Sequence, residues 1–251
     1  MLTVAHELHS RRWCAHFGGS VSARVGPGRF LITPARCSLG AVADADLVVV
    51  TAEGVVVSGV RDAARDLPFH LETYRARADV AAVALAQPPS ALGLSVAGGV
   101  PRPTVVADAV VSLGTEVPKI DFAFPGERNW SQELAPALED ADAVLLDQKG
   151  VLAVGAELES VLLRIESVEH VSQVQLAAAQ AGRTRELSAS DIQQLLKERR
   201  RMGWGAAGRH DLESQVRTEL PVVKPKEATA DGLVGVRTFA PPKRGRIDFS
   251  P

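Results

Sequence analysis

Residues 66–95 read DLPFHLETYRARADVAAVALAQPPSALGLS. Residues 68–77 combine good helix formers with Leu71 and Tyr74 three positions apart, which predicts a helix. Residues 80–85 are apolar at every position, so both faces of that segment are apolar and a buried strand is predicted. A helix that leads directly into a buried strand indicates an α/β domain.

The part of the chain before this stretch has the pattern of a helix followed by short strands. Apolar residues recur at helical intervals from Leu2 to Trp13, and Gly18 provides an end signal, which predicts a helix from residue 2 to about residue 17. Segments rich in β-branched residues and bounded by turn residues predict four strands, at 21–25, 30–33, 47–51 and 55–57.

The part of the chain after this stretch continues the alternation of helices and strands. The predicted elements are a short strand at 104–106, a helix at 130–141, a hairpin of strands 143–146 and 151–154, and a long amphipathic helix at about 156–181. Ser188 has the chemistry of a helix N-cap, so a last helix is predicted to begin there and to end near Gly203.

Composition and charge exclude several classes of protein. The chain has 251 residues, of which 46% are hydrophobic and 23% charged, which suits a soluble globular domain and not a disordered or fibrous protein. Residues 1–182 carry 14 basic against 21 acidic residues, whereas residues 183–251 carry 14 against 9. With only 4% aromatic residues and no basic character over a whole domain, the sequence argues against nucleic acid as a partner.

The two cysteines, Cys14 and Cys37, cannot form a disulfide framework or a zinc cluster by themselves. The first 17 residues contain His, Glu and Arg where a signal peptide needs an apolar run, and no apolar run has the length of a membrane span. We therefore expect a cytoplasmic protein without a membrane partner.

Residues 221–251 contain five of the 15 prolines and show no helical or strand period. This composition is typical of an extended arm or a partly disordered tail. The predicted organisation is a folded domain at residues 1–202 and a C-terminal extension at residues 203–251.

Several blocks in this order resemble the class II aldolase/adducin family, over roughly residues 1–202. The matching blocks are GGSVSAR at 18–24, LITPARC at 31–37, ARDLPFH at 64–70, AVALAQ at 82–87 and QKG at 148–150. The resemblance implies a three-layer α/β domain with a central, mostly antiparallel sheet flanked by helices. It also implies a homo-oligomer, preferably a tetramer, with the active site near a subunit interface.

The resemblance also implies where a zinc ion would be bound, because catalytic members of the family hold zinc with three histidines. Here those positions read Leu85, Gln87 and Lys149. Leucine has no donor atom, a neutral amide is a poor zinc ligand, and an ammonium group repels a dication. We therefore expect no metal and no other cofactor at this site.

The positions that bind phosphate in the family are also altered. The family asparagine falls at Ser20, a Ser/Thr-Gly pair becomes Ala35-Arg36, and a Ser-Ser-Glu block becomes Ala64-Arg65-Asp66. One interpretation is that Arg36 and Arg65 clamp a different anion, since guanidinium groups bind oxyanions in a bidentate manner. The alternative is that they fill vacated space and pair with Asp66 or another carboxylate.

Asp66 and Lys149 are the candidates for any remaining chemistry. Asp66 stands where the family has a proton-transferring glutamate, and Lys149 places a positive charge where zinc would be. Lys149 could form a structural ion pair with Asp66, could face solvent, or could act as a reactive amine that forms a Schiff base with a carbonyl compound.

Two functions from different classes follow from these residues. The first is a catalytically degenerate member of the family with a binding or assembly role, which takes an anionic small molecule. The alternative is a metal-independent lyase or isomerase that acts on a carbonyl or sugar-acid ligand. Asp66 and Lys149 are its catalytic candidates, Arg36 and Arg65 its anion clamp, and Ser20 and Gln87 further ligand-binding candidates. A zinc lyase with other ligands is a third option.

Overall fold

A computed structural model describes residues 1–122, 124 and 128–211. The eight strands are β1 (Ser20–Gly26), β2 (Arg29–Ile32), β3 (Val48–Thr51), β4 (Val56–Ser58), β5 (Ala82–Ala86), β6 (Lys119–Ile120), β7 (Ala143–Leu146) and β8 (Gly150–Gly155). The α-helices are α1 (Leu2–Ser10), α2 (Leu67–Ala76), α3 (Pro89–Val96), α4 (Ala107–Leu113), α5 (Arg128–Asp140), α6 (Leu158–Gln180) and α7 (Ala189–Arg201), and residues 205–211 are helical as well.

The strands form one sheet in the order β4-β3-β2-β1-β5-β8-β7-β6. Every neighbouring pair is antiparallel except β6 and β7, which are parallel. This arrangement confirms the predicted central, mostly antiparallel sheet.

Strand β5 lies at the centre of the sheet and contributes side chains to both of its faces. Ala84 packs into a core with α1, α3, α4 and α6, whereas Val83 and Leu85 pack into a second core with α2 and α5. Because side chains alternate along a strand, an uninterrupted apolar run is what a strand covered on both faces requires. The three-layer architecture follows directly from this strand.

Most predicted elements are present, with different ends. Helix α1 ends at Ser10 instead of about residue 17, because the chain leaves the helix at Arg12, whose φ is +61°. The capping prediction for α7 is confirmed, since the Ser188 hydroxyl accepts a hydrogen bond from the Asp191 amide at 3.2 Å.

The predicted strand at 104–106 is wrong. Residues Pro103–Val105 form a single turn of 3-10 helix, in which the Val106 amide donates to the Pro103 carbonyl. A proline at the start of the segment fixes φ at a helical value, and the local hydrogen bond then takes the place of strand pairing.

The prediction of an extended conformation is also wrong for the first residues of the C-terminal extension. Residues 205–211 are helical, and Arg209 donates to Asp142 at 3.1 Å. The rest of the extension, from residue 212 on, lies outside the described residues. No helix in the described part of the chain is long and apolar enough to cross a membrane.

Candidate functional site

A cavity of about 420 Å³ lies where several loops meet at one end of the sheet. Its walls come from the segment after α1, the turn after β2, the N-terminus of α2, the end of β5 and the turn between β7 and β8. The lining residues include Arg36, Arg65, Asp66, Leu85, Gln87 and Lys149. The structure thus brings five of the six predicted site residues, and Leu85, to one cavity.

Lys149 and Asp66 form an ion pair inside this cavity. The Lys149 ammonium donates to Asp66 Oδ1 at 2.7 Å, and the two side chains are only 21% and 13% exposed. The ammonium also lies 5.5 Å from the centre of the Phe69 ring, within the range of a cation–π contact. Of the three roles considered for Lys149, this geometry is that of the ion pair.

The turn between β7 and β8 holds Lys149 in this position. Gln148 has a φ of +52° and Gly150 a φ of +142°. A Cβ atom at position 150 would lie 2.1 Å from the Ala86 carbonyl oxygen, so only glycine fits there. The Ser95 hydroxyl donates to Asp147 Oδ1 at 2.6 Å and accepts from the Gln148 amide at 2.9 Å, which anchors the turn to α3.

The other two positions at which the resemblance places zinc ligands are also unsuited to a cation. Leu85 is buried in the second core, and Gln87 donates its amide to the Lys149 carbonyl at 3.2 Å. Within residues 1–122, 124 and 128–211, no group of three His, Cys, Asp or Glu side chains could hold a metal ion. The donor set therefore does not fit zinc, which needs nitrogen, sulfur or carboxylate ligands.

The two candidate arginines differ in their partners. Arg36 donates to Asp62 at 2.7 Å, with both side chains about three quarters exposed. Its φ is +53°, the left-handed conformation that favours glycine, and the resemblance places a glycine at this position. Arg65 is exposed and has no ion-pair partner among the described side chains.

Ser20 does not line the cavity. Its hydroxyl is fully buried and lies 2.7 Å from His70 Nε2, while the other ring nitrogen, Nδ1, lies 2.7 Å from the Ser22 hydroxyl. Ser22 in turn contacts the Tyr74 hydroxyl at 2.8 Å. Ser20 is thus part of a buried hydrogen-bond chain that fixes α2 against β1, and the sequence analysis missed the role of His70. The signal was present, since Ser20 and Ser22 lie on the same face of β1.

The buried ring of His70 is neutral. Burial lowers its pKa from 6.5 to about 4, Asp66 acts in the opposite direction, and Lys149 lowers it further. A neutral imidazole donates from one nitrogen and accepts at the other, which is what two flanking hydroxyl groups can satisfy.

We expect this histidine to make folding sensitive to mild acid. The unfolded chain takes up a proton near pH 6.5 and the folded chain only near pH 4. The free energy of unfolding therefore falls by about 1.4 kcal/mol per pH unit as the pH is lowered across this window, or about 3 kcal/mol in total. Urea unfolding of wild type and His70→Gln at several pH values measures the difference. Parallel pH profiles for the two proteins would contradict the assignment.

Three phenylalanines also line the cavity and were not predicted. Phe17 is 66% exposed, Phe122 53% and Phe124 62%. Phe122 and Phe124 meet edge to face with ring centres 5.2 Å apart. Their segments have no periodic pattern that would have marked them.

A second charged cluster lies away from this cavity, around Asp142. Its carboxylate is 1% exposed and contacts four guanidinium groups. These belong to Arg77 at 3.2 Å, Arg164 at 3.3 Å, Arg199 at 2.9 Å and Arg209 at 3.1 Å. The cluster ties the end of α2 to α6, α7 and the helical residues 205–211.

Comparison with known proteins agrees with this fold. Residues 1–176 match the family described as Class II Aldolase and Adducin N-terminal domain. The chain is 26% identical over 178 residues to 3-oxo-tetronate 4-phosphate decarboxylase of Escherichia coli, which covers 69% of this chain and 83% of the relative. It is 28% identical over 158 residues to L-fuculose phosphate aldolase of Escherichia coli, covering 63% and 72% respectively.

A solved structure shows the same architecture. YgbL of Klebsiella pneumoniae, described as a putative aldolase/epimerase/decarboxylase, superposes with a TM-score of 0.71 at 24% identity, covering 78% of this chain and 95% of that one. Since the family match spans more than half of the sequence, this chain belongs to the class II aldolase and adducin family.

Proposed function

We propose that this protein is a catalytically degenerate class II aldolase that binds an anionic small molecule in the retained cleft. The observation that supports this most is the Lys149–Asp66 ion pair, with its 2.7 Å contact at the place where the family's zinc chemistry would occur. A zinc ion polarises a carbonyl group and stabilises the negative charge that develops on it. A paired ammonium group is already neutralised by its carboxylate and supplies much less of this stabilisation.

The cleft itself supports a binding role. It keeps a volume of about 420 Å³, within the usual range of small-molecule sites. Lys149 and Asp66 cancel in charge, Arg36 is paired with Asp62, and Arg65 adds a positive charge at the cavity wall. The cavity therefore keeps a net positive charge, which favours an anionic ligand.

The proposal predicts that the purified protein holds less than about 0.1 equivalents of zinc after equilibration with excess zinc and desalting, because the cavity lacks a set of zinc donors. It also predicts no cleavage of L-fuculose phosphate and no decarboxylation of 3-oxo-tetronate 4-phosphate. Elemental analysis and product assays measure both. One equivalent of zinc that Gln87→Ala or Asp66→Ala removes would overturn the proposal.

A metal-independent lyase or isomerase is the second candidate, and one observation favours it. Lys149 lines the cavity, and Asp66 lies close enough to accept a proton from its ammonium group. The resulting amine could attack a carbonyl carbon and, with loss of water, form a Schiff base. Borohydride would then reduce the imine and label Lys149 in the presence of a carbonyl compound, whereas the ion-pair assignment predicts no labelling.

We also propose that the protein is a cytoplasmic homo-oligomer, preferably a tetramer. Both cysteines are free, as in a reducing compartment. Strand β4 is an edge strand, and Val56, Val57 and nearby Val60 are 44%, 48% and 88% exposed. Exposed apolar side chains on a sheet edge favour association. In this assembly the C-terminal extension contacts a neighbouring subunit through its apolar residues Leu233, Val234, Val236 and Phe239, which lie outside the described residues.

Light scattering at micromolar concentration is expected to give about four times the monomer mass of 26.6 kDa. The variant Val57→Lys/Val60→Lys should lower this mass, because charges would be buried in the contact. Val96→Lys, a change at an exposed valine at the end of α3, is the control and should leave it unchanged. A monomeric wild type would refute the assembly.

A further inference from the structure

The cavity has an aromatic entrance with contributions from two separate parts of the chain. Phe17 comes from the segment after α1, and Phe122 and Phe124 come from the segment after β6. All three side chains are more than half exposed, although apolar rings of this size are normally buried. Exposed aromatic rings that surround one cavity form an apolar surface, and a ligand with a planar, apolar group would cover that surface.

The rest of the lining is half apolar and half polar. Gly18, Gly19, Pro34, Ala35, Ala64 and Leu85 have no polar side chain, whereas His16, Arg36, Arg65, Asp66, Gln87 and Lys149 do. Four of these polar side chains already have partners, since Lys149 pairs with Asp66, Arg36 pairs with Asp62, and Gln87 donates to the Lys149 carbonyl. A ligand with many hydroxyl groups would have to compete with these contacts, so the cavity favours a ligand with few hydroxyl groups.

The polar groups of the cavity are suited to one negative charge. Arg65 lines the wall without an ion-pair partner among the described residues, and a guanidinium group binds a carboxylate through two parallel hydrogen bonds. Arg36 lines the same wall. Its ion pair with Asp62 is exposed to solvent, so a ligand carboxylate could take the place of Asp62. Inside the cavity, Lys149 and Asp66 neutralise each other.

From this combination we propose that the cleft binds a monocyclic aromatic carboxylate, with the ring against Phe17, Phe122 and Phe124 and the carboxylate on Arg65. This inference rests on the proposed binding function and specifies its ligand class. The cavity volume of about 420 Å³ is sufficient for one substituted ring.

Calorimetric titration of the full chain with benzoate and phenylacetate tests the inference, with cyclohexanecarboxylate, glycerate and inorganic phosphate as comparison ligands. We expect saturable binding of the aromatic acids, and affinity at least tenfold lower for glycerate and phosphate. Arg65→Gln should weaken binding of the aromatic acids at least tenfold, and Phe122→Ala at least threefold. Arg61→Gln, which changes an exposed arginine that does not line the cavity, should have no effect.

The outcomes separate this inference from the function on which it rests. If glycerate or phosphate binds as tightly as benzoate and Arg65→Gln weakens that binding, the aromatic ligand class is wrong and the anion-binding cleft stands. Equal binding of cyclohexanecarboxylate and benzoate would likewise remove the aromatic requirement. If none of these anions binds at millimolar concentration, both the inference and the anion-binding function are overturned.

Discussion

Replacing Asp142 by alanine is expected to lower the free energy of unfolding by about 3–5 kcal/mol, the largest single effect we anticipate. The carboxylate is 1% exposed and is in contact with four arginines, of which Arg77, Arg164 and Arg199 are themselves buried. Its removal leaves the buried Arg164 and Arg199 without their carboxylate, and leaves Asp79 as the remaining ion-pair partner of Arg77. An uncompensated buried charge is among the costliest defects that a fold can carry.

The pKa of Asp142 gives this prediction a pH dependence. Burial acts to raise its pKa, but attraction to Arg164, Arg199 and Arg77 outweighs burial, and the pKa lies below its usual value. A carboxylate with a lowered pKa stabilises the fold above its unfolded pKa of about 3.9 and loses that contribution as the pH falls through the folded pKa. The difference in the free energy of unfolding between wild type and Asp142→Ala should therefore be fully present at neutral pH and become smaller below about pH 4.

Urea unfolding at pH 7 measures the effect, with Asp44→Ala as the matched control. Asp44 is an exposed aspartate that forms no ion pair with the described residues, and its replacement should change stability by about 0.5 kcal/mol or less. If Asp142→Ala does not fold, Arg209→Ala provides an independent test. The four arginines are in ion-pair contact with two carboxylates, Asp142 and Asp79, so removing the most exposed arginine should cost about 1 kcal/mol or less. A small loss for Asp142→Ala, or a larger loss for Arg209→Ala, would contradict the cluster's role.

The second large effect is expected at the Lys149–Asp66 pair. Lys149→Ala strands a carboxylate that is 13% exposed, and should cost about 2–4 kcal/mol, near the range for a buried pair. The double change with Asp66→Ala should recover much of this loss, because neither charge is then left alone. The coupling in the double-mutant cycle should accordingly exceed about 1 kcal/mol.

The exposed pair Arg36–Asp62 is the control cycle, since it has the same 2.7 Å contact with side chains 75% and 77% exposed. Its coupling should be about 0–1 kcal/mol, because solvent screens exposed charges. Small and additive effects at Lys149 and Asp66 would discard the structural pair. If Lys149→Ala also abolished an activity while stability stayed nearly intact, the Schiff-base alternative would be favoured.

The sequence predicted the fold well wherever an element buries a regular apolar pattern. Strand β5 and helix α6 are examples, since their periods alone show which faces are covered. Strand β6 has only two residues, which is too short for any period. Helix α3 begins at Pro88-Pro89 and contains a glycine, so it resembles a loop, and its first amides are satisfied at a distance by the carboxylate of Glu169. A contact between residues 79 positions apart leaves no local signal.

The sequence predicted those residues of the candidate site that lie in recognisable motifs. Leu85, Gln87 and Lys149 were placed together by block order, and the structure does bring them to one cavity. Ser20 was predicted to belong to the site because of its position in a motif. In the structure its hydroxyl is buried and forms a hydrogen bond with His70 instead. The Asp142 cluster was not predicted because its arginines come from four separated elements, and only the tertiary fold brings them to one carboxylate.

We propose that a lysine–carboxylate pair occupies the position at which the resemblance places zinc, and a competitive titration with a zinc indicator tests this proposal most directly. Wild type is compared with a variant that restores histidine at all three positions, Leu85→His/Gln87→His/Lys149→His. We predict no competition by wild type and about one equivalent of tightly bound zinc in the variant, because three imidazoles together satisfy the ion. This assignment is wrong if wild type binds one equivalent of zinc and loses it on Asp66→Ala. It is also wrong if the triple variant folds but gains no zinc binding.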